Sequence, residues 1–249
     1  MRRSRLLLAV TAAASLAACH SQGNSDTNEG RARSPSAIEF PAADRPVATI
    51  ISTRWSDEEA RDRVNEASQI MDAAKVNPGM TVADIGAGEG YYTVRLAKRV
   101  GQNGRVLAED IVPEIIDALG RRINRENMQN VSVKLGTPDD PKLPPSSFDR
   151  IFLVHMYHEI AEPYAFLWRL YPALKPDGEI IVVDANRLTQ NHGTPPPQLK
   201  CEFEAVGFKE VGFRDSPFAG GYLARFGIGG ARPKPDQINP CHVHVTDSQ

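Results

Sequence analysis

From residue 81 onward, apolar residues fall into short β-rich runs that alternate with longer amphipathic segments. Five runs predict strands, and three segments between them predict helices. The predicted strands are 81–85, 105–110, 131–135, 149–154 and 179–184, and the predicted helices are 91–100, 113–125 and 163–174. Strands that alternate with helices favour a mostly parallel sheet with helices on both faces.

The segment before this alternation has a helical pattern. Ser56 lies three residues before Glu59, and apolar residues then recur at helical spacing as far as Ala74. A hydroxyl three residues before a carboxylate is typical of a capped helix start. The sequence therefore predicts one amphipathic helix over 56–74.

The pattern changes again after Asp184. Three prolines at 195–197 can open a helix that runs to about Val206. Two β-rich runs, 208–214 and 222–226, flank a turn-rich segment and predict a terminal antiparallel hairpin. The Pro- and Gly-rich tail after the hairpin is predicted to be irregular.

Residues 1–19 have the order of a secretory signal: arginines, an apolar run over 6–10, and small residues that end at Cys19. The apolar run is shorter than the ~20 residues of a membrane-spanning helix. Leu16-Ala17-Ala18-Cys19 resembles a bacterial lipobox. The resemblance implies lipidation of Cys19 and attachment to the periplasmic face of the cell envelope, most simply the outer membrane. The alternative is a plain secretory leader with an incidental cysteine.

The composition and length of the chain after Cys19 predict a linker and one domain. Residues 20–36 contain almost nothing apolar, and we expect a flexible linker over 20–45 followed by a single domain over 46–249. The net charge of −2 gives no general attraction to nucleic acid, so we expect no nucleic-acid partner. Cys201 and Cys241 either form a disulfide, which an oxidising compartment permits, or remain separate thiols.

A glycine-rich segment joins the first predicted strand to the helix that follows. It holds Asp84, Gly86, Gly88 and Gly90, and an acidic residue, Asp110, ends the next strand. Glycines allow a tight turn and close approach to a ligand, and a helix N-terminus directs free N–H groups at that ligand. Dinucleotide-binding proteins use a similar turn, so a nicotinamide oxidoreductase is one alternative.

Residues 84–90 resemble motif one of class I S-adenosylmethionine-dependent methyltransferases, and residues 106–111 resemble the motif that follows it along the chain in that family. Residues 174–179 resemble the turn before strand five of that family. The resemblance implies an α/β, Rossmann-like, doubly wound sheet of seven strands in the order 3-2-1-4-5-7-6. It also implies S-adenosylmethionine as cofactor, with Asp84, Gly86 and Gly88 around its methionine end and Asp110 on its ribose hydroxyls.

The chain departs from the family after the third strand. Relatives commonly have Gly-Asp-Ala there, whereas this chain has Gly136-Thr137-Pro138-Asp139-Asp140. Pro138 has no N–H to donate, so the adenine contact must shift, to Asp139 or Asp140. We take Asp139 as the predicted contact; the alternative is that both carboxylates only begin a polar turn.

Residues 155–159, directly after the fourth strand, hold two imidazoles, a phenol and a carboxylate. We predict His155, Tyr157 and His158 as catalytic residues that accept a proton or position the acceptor. Metal binding at these histidines, or at Cys241-His242-Val243-His244, is an alternative, and we assign no metal. The expected function is methyl transfer to a small molecule. The alternative is an exported, non-catalytic binding lipoprotein that keeps the fold.

Overall fold

The computed structural model describes residues 33–50 and 58–243. Seven strands form one sheet in the order β3-β2-β1-β4-β5-β7-β6. The strands are β1 Thr81–Ile85, β2 Arg105–Asp110, β3 Val131–Leu135, β4 Phe148–Val154, β5 Leu174–Asp184, β6 Phe208–Ser216 and β7 Gly221–Ile228. The first five are parallel, and β7 is antiparallel to both β5 and β6. The predicted fold class and the terminal hairpin are confirmed.

Six α-helices belong to the described part of the chain. They are α1 Glu58–Arg63, α2 Glu66–Ala73, α3 Tyr91–Val100, α4 Pro113–Arg125, α5 Pro163–Leu170 and α6 Pro196–Ala205. None of the helices in the described residues is both long enough and apolar enough to cross a membrane.

The central strands are buried on both faces of the sheet. Side chains alternate along a strand, so Ile151 and Leu153 pack in one core while Phe152 packs in the other. The first core includes Phe203 of α6, which stacks on Phe226 of β7 at 4.0 Å between ring centroids. These two cores fix the carboxyl ends of β1, β2, β4 and β5 along one edge, where loops are free to form a site.

The predicted helix over 56–74 is two helices. The break falls at Asn65, which has φ 52°, and the neighbouring Val64 is 43% exposed. Asparagine tolerates this left-handed conformation better than most residues, because its short polar side chain bonds locally. Ser56, the predicted cap, lies outside the described residues.

The predicted linker over 20–45 extends too far along the chain. Ala37 and Phe40 are completely or almost completely buried in the domain core. Arg33 forms an ion pair with Glu162 at 2.6 Å, and Arg45 forms one with Glu202 at 2.7 Å. Residues 33–45 are therefore part of the packed domain. The ion pairs of the two arginines and the burial of the two apolar side chains offset the conformational entropy that this segment loses when it is ordered.

A disulfide joins Cys201 of α6 to Cys241 in the tail, with 6.0 Å between the two Cα atoms. The tail is mostly irregular, as predicted, but it packs on the domain: the Trp168 indole N–H donates to the Pro233 carbonyl at 2.8 Å. Of the two possibilities left open for the cysteines, the structure adopts the bridge.

Candidate functional site

A crevice opens along the carboxyl ends of β1, β2 and β4, where the strand order reverses. It encloses about 1380 Å³ including its open mouth. Open α/β sheets bind ligands at this edge. Its walls come from the turn after β1, the end of β2, the loop after β3 and the turn after β4; the lining includes Asp84, Gly86, Gly88, Glu109, Asp110, Thr137, Pro138, His155, Met156 and Glu159.

The glycine-rich turn forms one wall of the crevice. Gly86 and Gly88 have φ of 66° and 54°, in the left-handed region that other residues adopt only at a cost. A Cβ on Gly86 would also lie 3.0 Å from the Cγ of Met156. The turn therefore requires glycine for its conformation, as the sequence predicted, and also for the close approach of the β4 turn, which the sequence did not predict.

Asp110 lines the crevice and is held by backbone donors. The Gly88 N–H donates to its Oδ2 at 3.0 Å, and the Val112 N–H donates to its Oδ1 at 3.0 Å. A carboxylate has about four acceptor positions, so one remains on each oxygen for a ligand hydroxyl. This fixed carboxylate is able to accept hydrogen bonds from two hydroxyls, and the family resemblance implies the ribose hydroxyls of the cofactor for this role.

Two further carboxyl groups lie in the same wall. Asp84 accepts a hydrogen bond from the Thr93 hydroxyl at 2.6 Å, and burial raises the pKa of Asp84 to about 6. Burial, with the neighbouring Asp110, raises the pKa of Glu109 to about 8. A positively charged ligand beside these groups would favour their ionised forms and lower both pKa values.

Glu109 occupies space that Gly136 leaves free. A Cβ on Gly136 would overlap the Oε1 of Glu109, which is buried. Glu109 was not among the site residues predicted from the sequence. The raised pKa could not be predicted because it depends on packing between the ends of β2 and β3.

Asp139 does not line the crevice, contrary to our prediction. Its carboxylate forms an ion pair with Arg169 at 2.6 Å and accepts hydrogen bonds from Thr137, at 3.1 Å, and from Ser36. These partners supply the hydrogen bonds and the positive charge that a buried carboxylate needs, so the side chain turns towards them and away from the crevice. Thr137 and Pro138 line this part of the crevice instead.

His155 lies where the sequence placed it, in the crevice directly after β4. It has φ 53°, and its backbone N–H donates to the Val183 carbonyl at 2.8 Å. Burial lowers the pKa of His155 to about 4, so the ring is neutral at physiological pH. A base with so low a pKa removes a proton poorly, but a neutral ring can accept or donate a hydrogen bond.

Tyr157 and His158 point away from the crevice, contrary to our prediction. Residues 157–159 form one turn of 3-10 helix, which directs successive side chains to different sides. The Tyr157 hydroxyl donates to Glu202 at 2.7 Å, and the His158 Nδ1 lies 3.0 Å from Asp184. Both side chains are fully buried. Of residues 157–159, only Glu159 lines the crevice.

Residues 76–215 match a protein family described as "Methyltransferase domain". This match covers more than half of the chain, including every strand around the crevice. The chain belongs to this methyltransferase domain family. Family and fold support methyl transfer from S-adenosylmethionine as the general activity, with S-adenosylmethionine as the cofactor. They give no support to the alternative of a non-catalytic binding protein.

The methyltransferase domain is similar to several known proteins. It is 29% identical to nocamycin O-methyltransferase of Saccharothrix syringae over 54% of this chain and 45% of that protein. It is 28% identical to protein-L-isoaspartate O-methyltransferase of Methanothrix thermoacetophila over 60% of this chain and 71% of that protein. The chain thus spans less than half the length of the first of these relatives.

Among solved structures, the methyltransferase domain resembles a SAM dependent methyltransferase from Aquifex aeolicus. The TM-score is 0.59 with 22% sequence identity, over 69% of this chain and 97% of that chain. At this identity the likeness establishes the fold alone. It agrees with the strand order described above.

Proposed function

We propose that this domain transfers a methyl group from S-adenosylmethionine to a small molecule that enters the crevice beside His155 and Glu159. The observation that carries the proposal is the arrangement of carboxyl groups at the glycine-rich end. Asp84, Glu109 and Asp110 all line the crevice there. S-adenosylmethionine supplies an electrophilic methyl group on a positively charged sulfur, and this acidic wall favours a cationic ligand.

The part of the crevice formed by the segments after β4 suits a small acceptor. Met156, Ile160 and Phe166 give it apolar walls, and His155 supplies a neutral imidazole. A neutral ring does not repel a cationic cofactor, and it can orient a hydroxyl or amine by one hydrogen bond. We therefore assign His155 to positioning of the acceptor rather than to removal of its proton. Transfer then depends mainly on proximity and alignment with the sulfonium.

Calorimetric titration of S-adenosylmethionine and S-adenosylhomocysteine into the full chain tests the cofactor assignment. We expect micromolar binding, weakened at least about 100-fold in Asp110→Ala, which corresponds to roughly 2.7 kcal/mol. Asp117→Ala is the matched control, because Asp117 is an exposed aspartate on α4. Absence of binding at millimolar concentration, or equal weakening in both variants, would contradict the proposal.

We also propose that the domain works outside the cytoplasm, attached to the cell envelope through lipidated Cys19. The disulfide between Cys201 and Cys241 supports this location, because disulfides persist in oxidising compartments. Cys19 and the leader lie outside the described residues, so the support for lipidation is the lipobox-like sequence.

Metabolic labelling with a fatty acid tests the anchor. We expect the wild-type protein to carry the label in the membrane fraction and Cys19→Ser to lose it. Cys201→Ser is the control and should remain labelled. A labelled Cys19→Ser protein, or an unlabelled wild type, would refute the anchor without bearing on the cofactor.

A further inference from the structure

Three residues with metal-ligand chemistry meet beside the crevice. His158, Glu159 and His192 each place one side-chain nitrogen or oxygen within 4.8 Å of the others. His158 and Glu159 belong to the turn after β4, whereas His192 lies in the loop after β5, so the fold brings them together from separate segments. Two imidazoles and one carboxylate are the protein ligands of an open catalytic zinc site.

Asp184 fixes the orientation of His158. Its carboxylate accepts hydrogen bonds from the Thr194 hydroxyl at 2.7 Å and the Ala185 N–H at 2.8 Å, and it lies 3.0 Å from the Nδ1 of His158. A carboxylate that already accepts two hydrogen bonds acts as the acceptor from Nδ1–H. In the neutral ring the lone pair is then on Nε2. A carboxylate that orients a histidine in this way is the usual support for a metal-ligating imidazole.

His192 completes the cluster. Its ring lies nearly perpendicular to that of His158, with 5.5 Å between centroids. The Nδ1 of His192 is buried and has no hydrogen-bond partner in the described ranges 33–50 and 58–243. A buried polar atom without a partner is rare in folded proteins and often marks an ion or water site.

We propose that His158, Glu159 and His192 bind one divalent transition-metal ion of the zinc type. Bonds of about 2.1 Å place tetrahedral ligand atoms about 3.4 Å apart, so modest rotations of the half-buried Glu159 and His192 close the set around the fixed His158. Imidazole ligands favour zinc-like ions, whereas Mg²⁺ prefers oxygen ligands.

The ion retains an open position for an oxygen ligand. Glu159 belongs both to the cluster and to the crevice wall, so the proposed ion lies next to the crevice although His158 itself points away from it. There the ligand is a water molecule or a hydroxyl group of the methyl acceptor. This placement of the acceptor rests on the proposed function, whereas metal binding itself does not.

Titration of ZnCl₂ into the full chain, purified without a polyhistidine tag and stripped with a chelator, tests the site. We expect about one ion per chain and binding weakened at least about tenfold in both His192→Asn and Glu159→Gln. His192 has φ 56°, a conformation that asparagine tolerates. His242→Asn is the control, because His242 is an exposed histidine paired with Asp44. MgCl₂ should produce no comparable binding.

Absence of zinc binding, or equal zinc binding in wild type, His192→Asn and Glu159→Gln, would overturn the proposal. Loss of binding in His242→Asn alone would also overturn it, because it would place the ion in the tail. Thermal unfolding of the metal-free variants identifies any that fail to fold; if His192→Asn does, Glu159→Gln decides. S-adenosylmethionine binding by the metal-free wild type tests the proposed function separately, so the two can fail independently.

Discussion

The two ends of the crevice are built differently. The glycine-rich end comes from the segments that follow two adjacent strands, β1 and β2, and backbone N–H groups fix Asp110 there. The histidine end comes from the β4 turn, which distant segments hold in place: Glu202 of α6 accepts a hydrogen bond from Tyr157, and Arg45 of the N-terminal segment pairs with Glu202 and lies over the Tyr157 ring. One end is built from two short segments at neighbouring strand ends, and the other depends on contacts between segments that are far apart in sequence. We therefore expect substitutions to affect the two ends in different ways.

The largest expected effect concerns the support of the histidine end. The disulfide closes a loop with a sequence separation of 40 residues, and the chain-entropy relation gives a loss of about 4 kcal/mol when it is removed. We expect the double variant Cys201→Ser, Cys241→Ser to unfold at a lower denaturant concentration, with its free energy of unfolding reduced by this amount. Hydrogen exchange should increase most in α6 and the tail and least in β1 and β2. An equal increase of hydrogen exchange in all of these elements would mean that the two ends of the crevice are not stabilised independently. Cys19→Ser is the control, and its stability and hydrogen exchange should equal those of the wild type.

The next effect concerns the glycine-rich end and its dependence on pH. The folded-state pKa of Glu109, about 8, exceeds its ordinary value of 4.5, so the folded state retains the proton and loses stability as pH rises through this window. Between pH 6 and pH 8 the loss should be about 2 kcal/mol. Asp84, with a pKa of about 6, contributes mainly below this range.

Glu109→Gln should remove this loss, measured as the difference in free energy of unfolding between pH 6 and pH 8. Glu114→Gln is the matched control, since Glu114 is exposed on α4 and should leave the wild-type dependence unchanged. A wild-type protein equally stable at both pH values would disprove the buried, protonated carboxyl group.

A smaller effect comes from replacing glycines of positive φ. Two such variants separate the cost of backbone strain from the cost of changing the shape of the crevice. Gly86→Ala forces a side chain into φ 66° and towards Met156, whereas Gly79→Ala meets φ 86° with open space around it. Both should lose about 1–2 kcal/mol of stability. Only Gly86→Ala should also bind S-adenosylmethionine about tenfold more weakly, by calorimetry. Equal affinity in the two variants would show that the turn does not contact the cofactor.

The smallest effect tests whether Tyr157 is structural. Tyr157→Phe removes the hydrogen bond to Glu202 and should lower the free energy of unfolding by about 1 kcal/mol. Cofactor affinity should not change, because the side chain lies outside the crevice. A large change in affinity with no change in stability would restore the catalytic role that the sequence suggested.

The accuracy of the sequence predictions follows the same division. Strand positions, the hairpin and the places of Asp84, Gly86, Gly88 and Asp110 depend on local periodicity and on two short motifs, residues 84–90 and 106–111. The break at Asn65 depends on a single left-handed residue that helical periodicity does not reveal. Asp139 was misplaced because its partner Arg169 is distant in sequence.

The remaining misses also have long-range causes. The packing of Phe40 and the meeting of His192 with His158 depend on contacts between distant segments. Tyr157 and His158 were correctly placed after β4, but the direction of each side chain depends on one 3-10 turn. Residue type and strand end could therefore be predicted, whereas side-chain direction could not.

If Cys19 is the anchor, as proposed, the early start of the packed domain limits how far the domain can move from the membrane. Thirteen residues lie between Cys19 and Arg33, which is paired with Glu162, so fourteen Cα–Cα steps separate the two. A fully extended chain of that length reaches at most about 50 Å. With Cys19 as the proposed anchor, the domain would sample only a thin shell of the periplasm next to the membrane. Acceptors that are carried or released at the membrane would then meet the crevice far more often than solutes spread through the whole compartment.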